Sequence, residues 1–243
     1  MPTIETSERN DTYYRSQLES RGCLYLDTGN QFIGNSGKHL TGYCNVDPAL
    51  TDVRFMHEVG YDLAQPYVDL EVDTVLVPAI GAIPLGQWTA FHLSEATGRP
   101  VATAWADKVR SDDPSDNGVA FALTRNGFRD QVAGKRVVAV EDMINQMHSV
   151  NKLLRMALAD EAEIVGVGAL AANAGVSAES LHVPQFQTLC RVIYDAYPLE
   201  ACLDHGPCSE LWPVAEDDSL GHAEIFQETH PDYPGGFVKI LSE

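Results

Sequence analysis

Lysine is scarce in this chain: there are 5 among 243 residues, and with 11 arginines the basic total is 16, against 35 aspartates and glutamates. The resulting formal charge of −19 repels phosphodiester backbones and anionic lipid at long range, which argues against a nucleic-acid or membrane surface as the working face. A phosphate ligand therefore has to be held by a local site. The same composition can reflect life in high salt, but an ordinary acidic cytosolic protein is the more common source of it. Long apolar runs are missing as well. No stretch approaches the roughly 18 apolar residues that a spanning helix needs, and the polar opening, residues 1–10, lacks the apolar core of a signal peptide. A cytoplasmic protein is expected. The five cysteines, Cys23, Cys44, Cys190, Cys202 and Cys208, are odd in number and scattered, which suits reduced thiols better than a disulfide framework.

What is present is enough apolar sequence, 44%, to bury a sizeable core. The pattern divides into three zones: residues 1–69, with two helices (11–20 and 48–64) around a Gly-rich stretch; residues 70–196, where strands alternate with helices; and residues 197–243, an irregular tail dense in Pro, Gly, His and acids. In the middle zone, residues 72–77, 101–105, 136–140 and 164–170 read as strands, 85–96 and 148–159 as helices, and the polar segment 108–118 as a mobile loop. Residues 188–194 add a strand. Strands apolar on both faces and separated by helices indicate an α/β fold with a central, mostly parallel sheet covered on both sides.

In such a sheet ligands bind beyond the carboxyl ends of the strands. Glu141 and Asp142 follow the strand 136–140, and two acids there need donors such as ribose hydroxyls or a hydrated cation. The turn 145–149 leads into a helix whose free amides suit a phosphate. On position alone, the acids equally well open a loop and cap the next helix.

Val137, Val138, Ala139, Val140, Glu141 and Asp142 resemble the first half of the PRPP-binding motif of type I phosphoribosyltransferases. The segment Val77, Pro78, Ala79, Ile80, Gly81, Ala82, Ile83, Pro84 is similar to the family's pyrophosphate loop, above all that of the orotate enzymes. Ser36, Gly37, Lys38, His39, Leu40, Thr41, Gly42 and Tyr43 are similar to their hood segment. The resemblance implies a type I phosphoribosyltransferase fold with a small N-terminal hood. It implies that Glu141 and Asp142 hold the ribose, that Asn145, Gln146, Met147, His148 and Ser149 surround the 5′-phosphate, and that Ala79, Ile80 and Gly81 hold pyrophosphate. Lys108 would close over the leaving group, and Ser36, Lys38 and Tyr43 would serve the base. It further implies Mg²⁺ carried in on PRPP, a base as second substrate, and a homodimer.

The phosphate turn departs from the family pattern, with Gln146, Met147 and His148 where small Thr and Gly are expected. Gly81 stands where orotate enzymes carry Lys. Two readings follow: an active transferase with an altered phosphate seat, or a catalytically altered phosphoribosyltransferase fold serving as a nucleotide sensor or regulatory module. Cys202 and Cys208, with His205, His222 and His230 nearby in sequence, do not match a short zinc knuckle and read as reduced thiols, so no protein metal site is assigned. A dinucleotide-binding fold is disfavoured by the absence of Gly-x-Gly-x-x-Gly after an early strand.

Overall fold

The computed structural model describes residues 9–34, 36–113, 116 and 118–241. The first eight residues of the polar opening, and positions 114, 115 and 117 of the segment expected to be a mobile loop, lie outside the described residues. In chain order the elements are α1 (Asp11–Ser20), β1 (Leu24–Leu26), β2 (Phe32–Ile33), β3 (His39–Leu40), β4 (Gly42–Cys44), α2 (Asp47–Leu50), α3 (Val53–Ala64), β5 (Thr74–Pro78), α4 (Ile83–Thr97), β6 (Ala102–Arg110), β7 (Val119–Ala122) and α5 (Phe128–Val132). There follow β8 (Arg136–Ile144), α6 (His148–Ala159), β9 (Glu163–Asn173), α7 (Ala178–Leu181), β10 (Phe186–Val192), β11 (Ala196–Tyr197), α8 (Leu199–His205), β12 (Val214–Ala215), α9 (Ala223–Gln227) and β13 (Phe237–Val238).

Two compact units divide the chain, one built from the segment up to Gln17 with Val46–Arg191, the other from Leu18–Asn45 with the residues from Val192 onward. This division differs from the zones 1–69, 70–196 and 197–243. Residues 46–69 belong to the first unit, while the tail folds with the Gly-rich stretch in the second.

The first unit holds a six-stranded sheet in the order β10-β9-β8-β5-β6-β7. β5 pairs in parallel with β6 and β8, β8 pairs in parallel with β9, and the hairpin partner β7 runs antiparallel to β6. Every residue of β5 is buried, as expected of a strand covered on both faces. Leu76 joins a core with Ala139, Val167, Leu153 and Ala157, the last two from α6. Its neighbour Val77 meets α4 instead, where Gly86 brings the helix backbone onto the strand. The expected single helix 48–64 is broken in two, because Asp52 has extended backbone and accepts the amides of Arg54 and Phe55, both at 3.1 Å, starting α3 afresh.

The second unit is made of short pieces. β1 pairs with β4, β3 lies between β2 and β11, and β12 pairs with β13. The tail, although largely irregular, supplies most of this unit's core: Cys202, Cys208, Val214, Ala223, Phe226 and Tyr233 pack with Ile33.

Candidate active site

β8 continues past Val140 to Ile144, held by pairing of Glu141 with Ala169, Met143 with Ala171 and Ile144 with Ala172 on β9. Glu141 and Asp142 are thus strand residues, which corrects the expectation of a strand ending at residue 140. Both acids belong to a run whose next apolar residues, Met143 and Ile144, still satisfy the ladder. Glu141 is 6% exposed and Asp142 half-buried. The amide of Asp142 donates to Glu141 Oε2 at 3.1 Å, and that of Met143 donates to Asp142 Oδ1 at 2.6 Å. Burial, reinforced by the Asp142 carboxylate, pushes the Glu141 carboxyl well above its ordinary value, with Lys108 opposing. Burial also pushes Asp142 up, and Asp47 adds repulsion. A buried acid pair of this kind favours ligands that bring hydroxyl donors or positive charge.

The turn after β5 meets this pair. A Cβ at position 81 would lie 2.3 Å from Asp142 Oδ2, so any side chain there, lysine included, has to displace the Asp142 carboxylate from the position it holds. The departure at Gly81 therefore has a physical reason inside this chain. Ala79 donates its amide to Ala106 O on β6 at 2.8 Å, the Ala79–Ile80 peptide is cis, and Ile80 is 81% exposed. α4 begins directly after, with Pro in its first turn and no side-chain cap; Ile83 donates its amide to Ile80 O at 3.1 Å and Gly86 to Ala82 O at 3.0 Å, so what the helix brings to the turn is chiefly the positive end of its dipole.

Lys108 lies within β6 rather than in a loop, paired with Phe121 of β7, and it is exposed yet near enough to bias Glu141. The strand therefore runs to Arg110, correcting the expected loop start. Beyond it, Asp116 is buried. Ser111 Oγ donates to its carboxylate at 2.7 Å and Arg155 of α6 at 2.5 Å, while Lys152 donates to its carbonyl at 2.5 Å. The described part of the expected mobile loop is thus tied to α6.

In the phosphate turn, Asn145, Gln146 and Met147 are partly buried and His148 and Ser149 exposed. Met147 has φ of 60°, the left-handed conformation that glycine adopts most easily. Its side chain packs against the core cluster that contains Ile144, Val150 and Leu153, so this long side chain, standing where a small residue is expected, is turned inward. His148 and Ser149 open α6, which has no side-chain cap.

The structure thus brings together Glu141, Asp142, Gly81 and Lys108, with Ala79, Ile80 and the turn 145–149 adjoining them in sequence. Ser36, Lys38 and Tyr43 belong to the second unit. Asp47 was missed by sequence reasoning. Its only local signal is an Asp-Pro at a helix start, and its closeness to Asp142 arises through the fold.

A covered parallel sheet whose central strand carries an acid pair near its carboxyl end, facing a glycine turn, is the arrangement of type I phosphoribosyltransferases. Solved structures agree in fold: the orotate phosphoribosyltransferase of Mycobacterium tuberculosis in complex with inorganic phosphate has a TM-score of 0.53 at 15% identity, over 76% of this chain and 90% of that one. The adenine phosphoribosyl transferase of Trypanosoma brucei in complex with AMP, pyrophosphate and ribose-5-phosphate has a TM-score of 0.52 at 14% identity, over 73% and 79%. No protein-family model matches the chain. In sequence, the orotate phosphoribosyltransferase of Thermus thermophilus is 32% identical over 197 residues, 79% of this chain and 97% of the relative. The chain belongs to the orotate phosphoribosyltransferase family.

Proposed function

We propose that the protein transfers the 5-phosphoribosyl group of PRPP to a nitrogenous base, orotate or another pyrimidine, with release of pyrophosphate. The observation that supports this best is the packing of Asp142 Oδ2 into the space above Gly81, which joins the ribose acids to the pyrophosphate turn within the span of one small ligand. In the reaction, the bond from the anomeric carbon to the pyrophosphate oxygen breaks, its electron pair leaving with pyrophosphate. A base nitrogen then forms the new bond from the opposite face. Glu141 and Asp142 hold the ribose hydroxyls and favour the positive charge that develops on the ring, while the amides of Ile80 and Gly81 and the start of α4 receive pyrophosphate. Lys108 adds the positive side chain that Gly81 lacks. The amides opening α6, with Gln146, His148 and Ser149, receive the 5′-phosphate.

The all-oxygen donors Glu141 and Asp142 fit a hard divalent cation such as Mg²⁺, which when bound to PRPP would offset charge on the leaving group. Ser36, Lys38 and Tyr43 are assigned to the base on the motif alone, and a homodimer working in the cytoplasm is proposed by family likeness. Pyrophosphate release from PRPP and Mg²⁺ with a panel of bases tests the reading. Turnover with orotate or another pyrimidine is expected, and failure of every base would remove it. The sensor reading draws on the missing lysine at position 81. Tight PRPP or nucleotide binding by calorimetry without turnover would favour it.

A further inference from the structure

Four polar side chains of the second unit converge in a place closed to solvent. Gln31, His39, Cys202 and Cys208 are at most 2% exposed. The ligand atoms of His39, Cys202 and Cys208 all lie within 4.8 Å of one another. Cys208 Sγ is 3.2 Å from His39 Nδ1 and 3.4 Å from Gln31 Oε1; Cys202 Sγ is 3.7 Å and His39 Nδ1 2.7 Å from that same oxygen. A tetrahedral ion with bonds of about 2.3 Å to sulfur and 2.0–2.1 Å to nitrogen and oxygen needs donor separations of about 3.3–3.8 Å. The three sulfur contacts, at 3.2–3.7 Å, are near that spacing, whereas the 2.7 Å between His39 Nδ1 and Gln31 Oε1 is a hydrogen bond that has to open by about 0.6 Å, with loss of the ring proton, for both atoms to reach one ion.

The surroundings are those of a ligand set. Gln31 Nε2 donates to Trp212 O at 2.7 Å and Tyr233 Oη at 3.0 Å, which fixes the amide so that its oxygen faces the thiols and imidazole. The amide of Cys208 donates to Cys202 Sγ at 3.1 Å, a contact that stabilises a thiolate. The His39 ring is held edge-on against Phe226, with centroids 4.6 Å apart. Two thiolates and one divalent cation sum to zero charge, so a filled site of this composition avoids the penalty of a buried net charge.

We propose that His39 Nδ1, Cys202 Sγ, Cys208 Sγ and Gln31 Oε1 form a structural zinc site, the two thiols losing their protons to solvent as the ion binds. Soft sulfur with imidazole selects zinc over the oxygen-loving Mg²⁺. The site clips the stretch carrying β2 and β3 to the tail carrying α8, in a unit whose named strands are only two or three residues long. The sequence hid it because the histidine lies 169 positions before Cys208, whereas His205, His222 and His230 are not in the cluster.

The test uses the full chain, freed of any affinity tag and purified under reducing conditions without chelator, by elemental analysis. We expect about one zinc per chain. The chelator-stripped chain should take up one Co²⁺ with the visible bands of a tetrahedral ion and a sulfur-to-cobalt charge-transfer band. Cys208→Ser and His39→Ala should lose that metal, whereas Cys190→Ser should keep it. Two results with the wild-type chain would overturn the site whether or not the variants fold: less than about a tenth of an equivalent of zinc with no cobalt spectrum after loading, or a Cys202–Cys208 disulfide found by peptide mapping in a parallel preparation made without reductant. Retention of full metal by a folded Cys208→Ser chain would overturn it too.

Discussion

At the scale of single residues, the acid pair sets the expectations. Replacing Asp142 with Asn should lower turnover by about 10²–10³-fold, the usual loss when one preorganised charge contact is removed. The melting temperature should hold or rise, because the change relieves repulsion within a buried pair. Steady-state kinetics beside a thermal melt checks both, and unchanged turnover would take Asp142 out of the site. Gly81→Ala places a methyl where Asp142 Oδ2 sits and should cost about 10²-fold in kcat/KM for PRPP by displacing the carboxylate about 1 Å. Glu141 gives a pH signature. Its carboxyl is raised in the folded chain above the ordinary 4.5, so its contribution is fully present below that value and is lost as pH rises through the folded pKa. The melting temperature of Glu141→Gln minus that of wild type should therefore grow from about pH 4 to about pH 8. A flat difference would mean that the acid is not held protonated by burial.

At the scale of elements, close approach decides which helices stack. Gly60 of α3 lies against the backbone of α4, where an added Cβ would come within 2.3 Å of Trp88 Cβ and 2.9 Å of Thr89 N. Backbone has little room to give, so Gly60→Ala should destabilise the chain by about 1–3 kcal/mol, read from denaturant titration. Periodicity and turn residues made α1, α6 and the existence of β5, β8 and β9 legible, since these depend on local apolar pattern. The end of β8 was not, because Glu141 and Asp142 look like loop residues until β9 supplies their ladder partners. β7 was hidden for the same reason: Val119–Ala122 becomes a strand only by pairing with β6. Of the candidate site, the motif residues could be read in order along the chain. The contact of Asp142 with Gly81, the inward turn of Met147 and the nearness of Asp47 depend on tertiary placement, which no local window contains.

At the scale of the whole molecule, a formal charge of −19 should make stability depend on salt. Mutual repulsion among carboxylates is screened as the Debye length falls from about 10 Å at 0.1 M to about 3 Å at 1 M. The melting temperature in KCl should climb across that range, and a flat or falling trend would show that the charges are already locally compensated. The interleaving of the two units bears on how the chain is made. As synthesis proceeds from the amino end, every residue of the first unit is made while Leu18–Asn45 still waits for its partners from the tail. β3 cannot pair with β11 until Ala196–Tyr197 has emerged, and β12 cannot pair until Phe237–Val238 has followed. A nascent chain stalled after β10 should therefore carry a protease-resistant core and a cleavable loop at Leu18–Asn45, and only release of the last fifty or so residues should protect that loop.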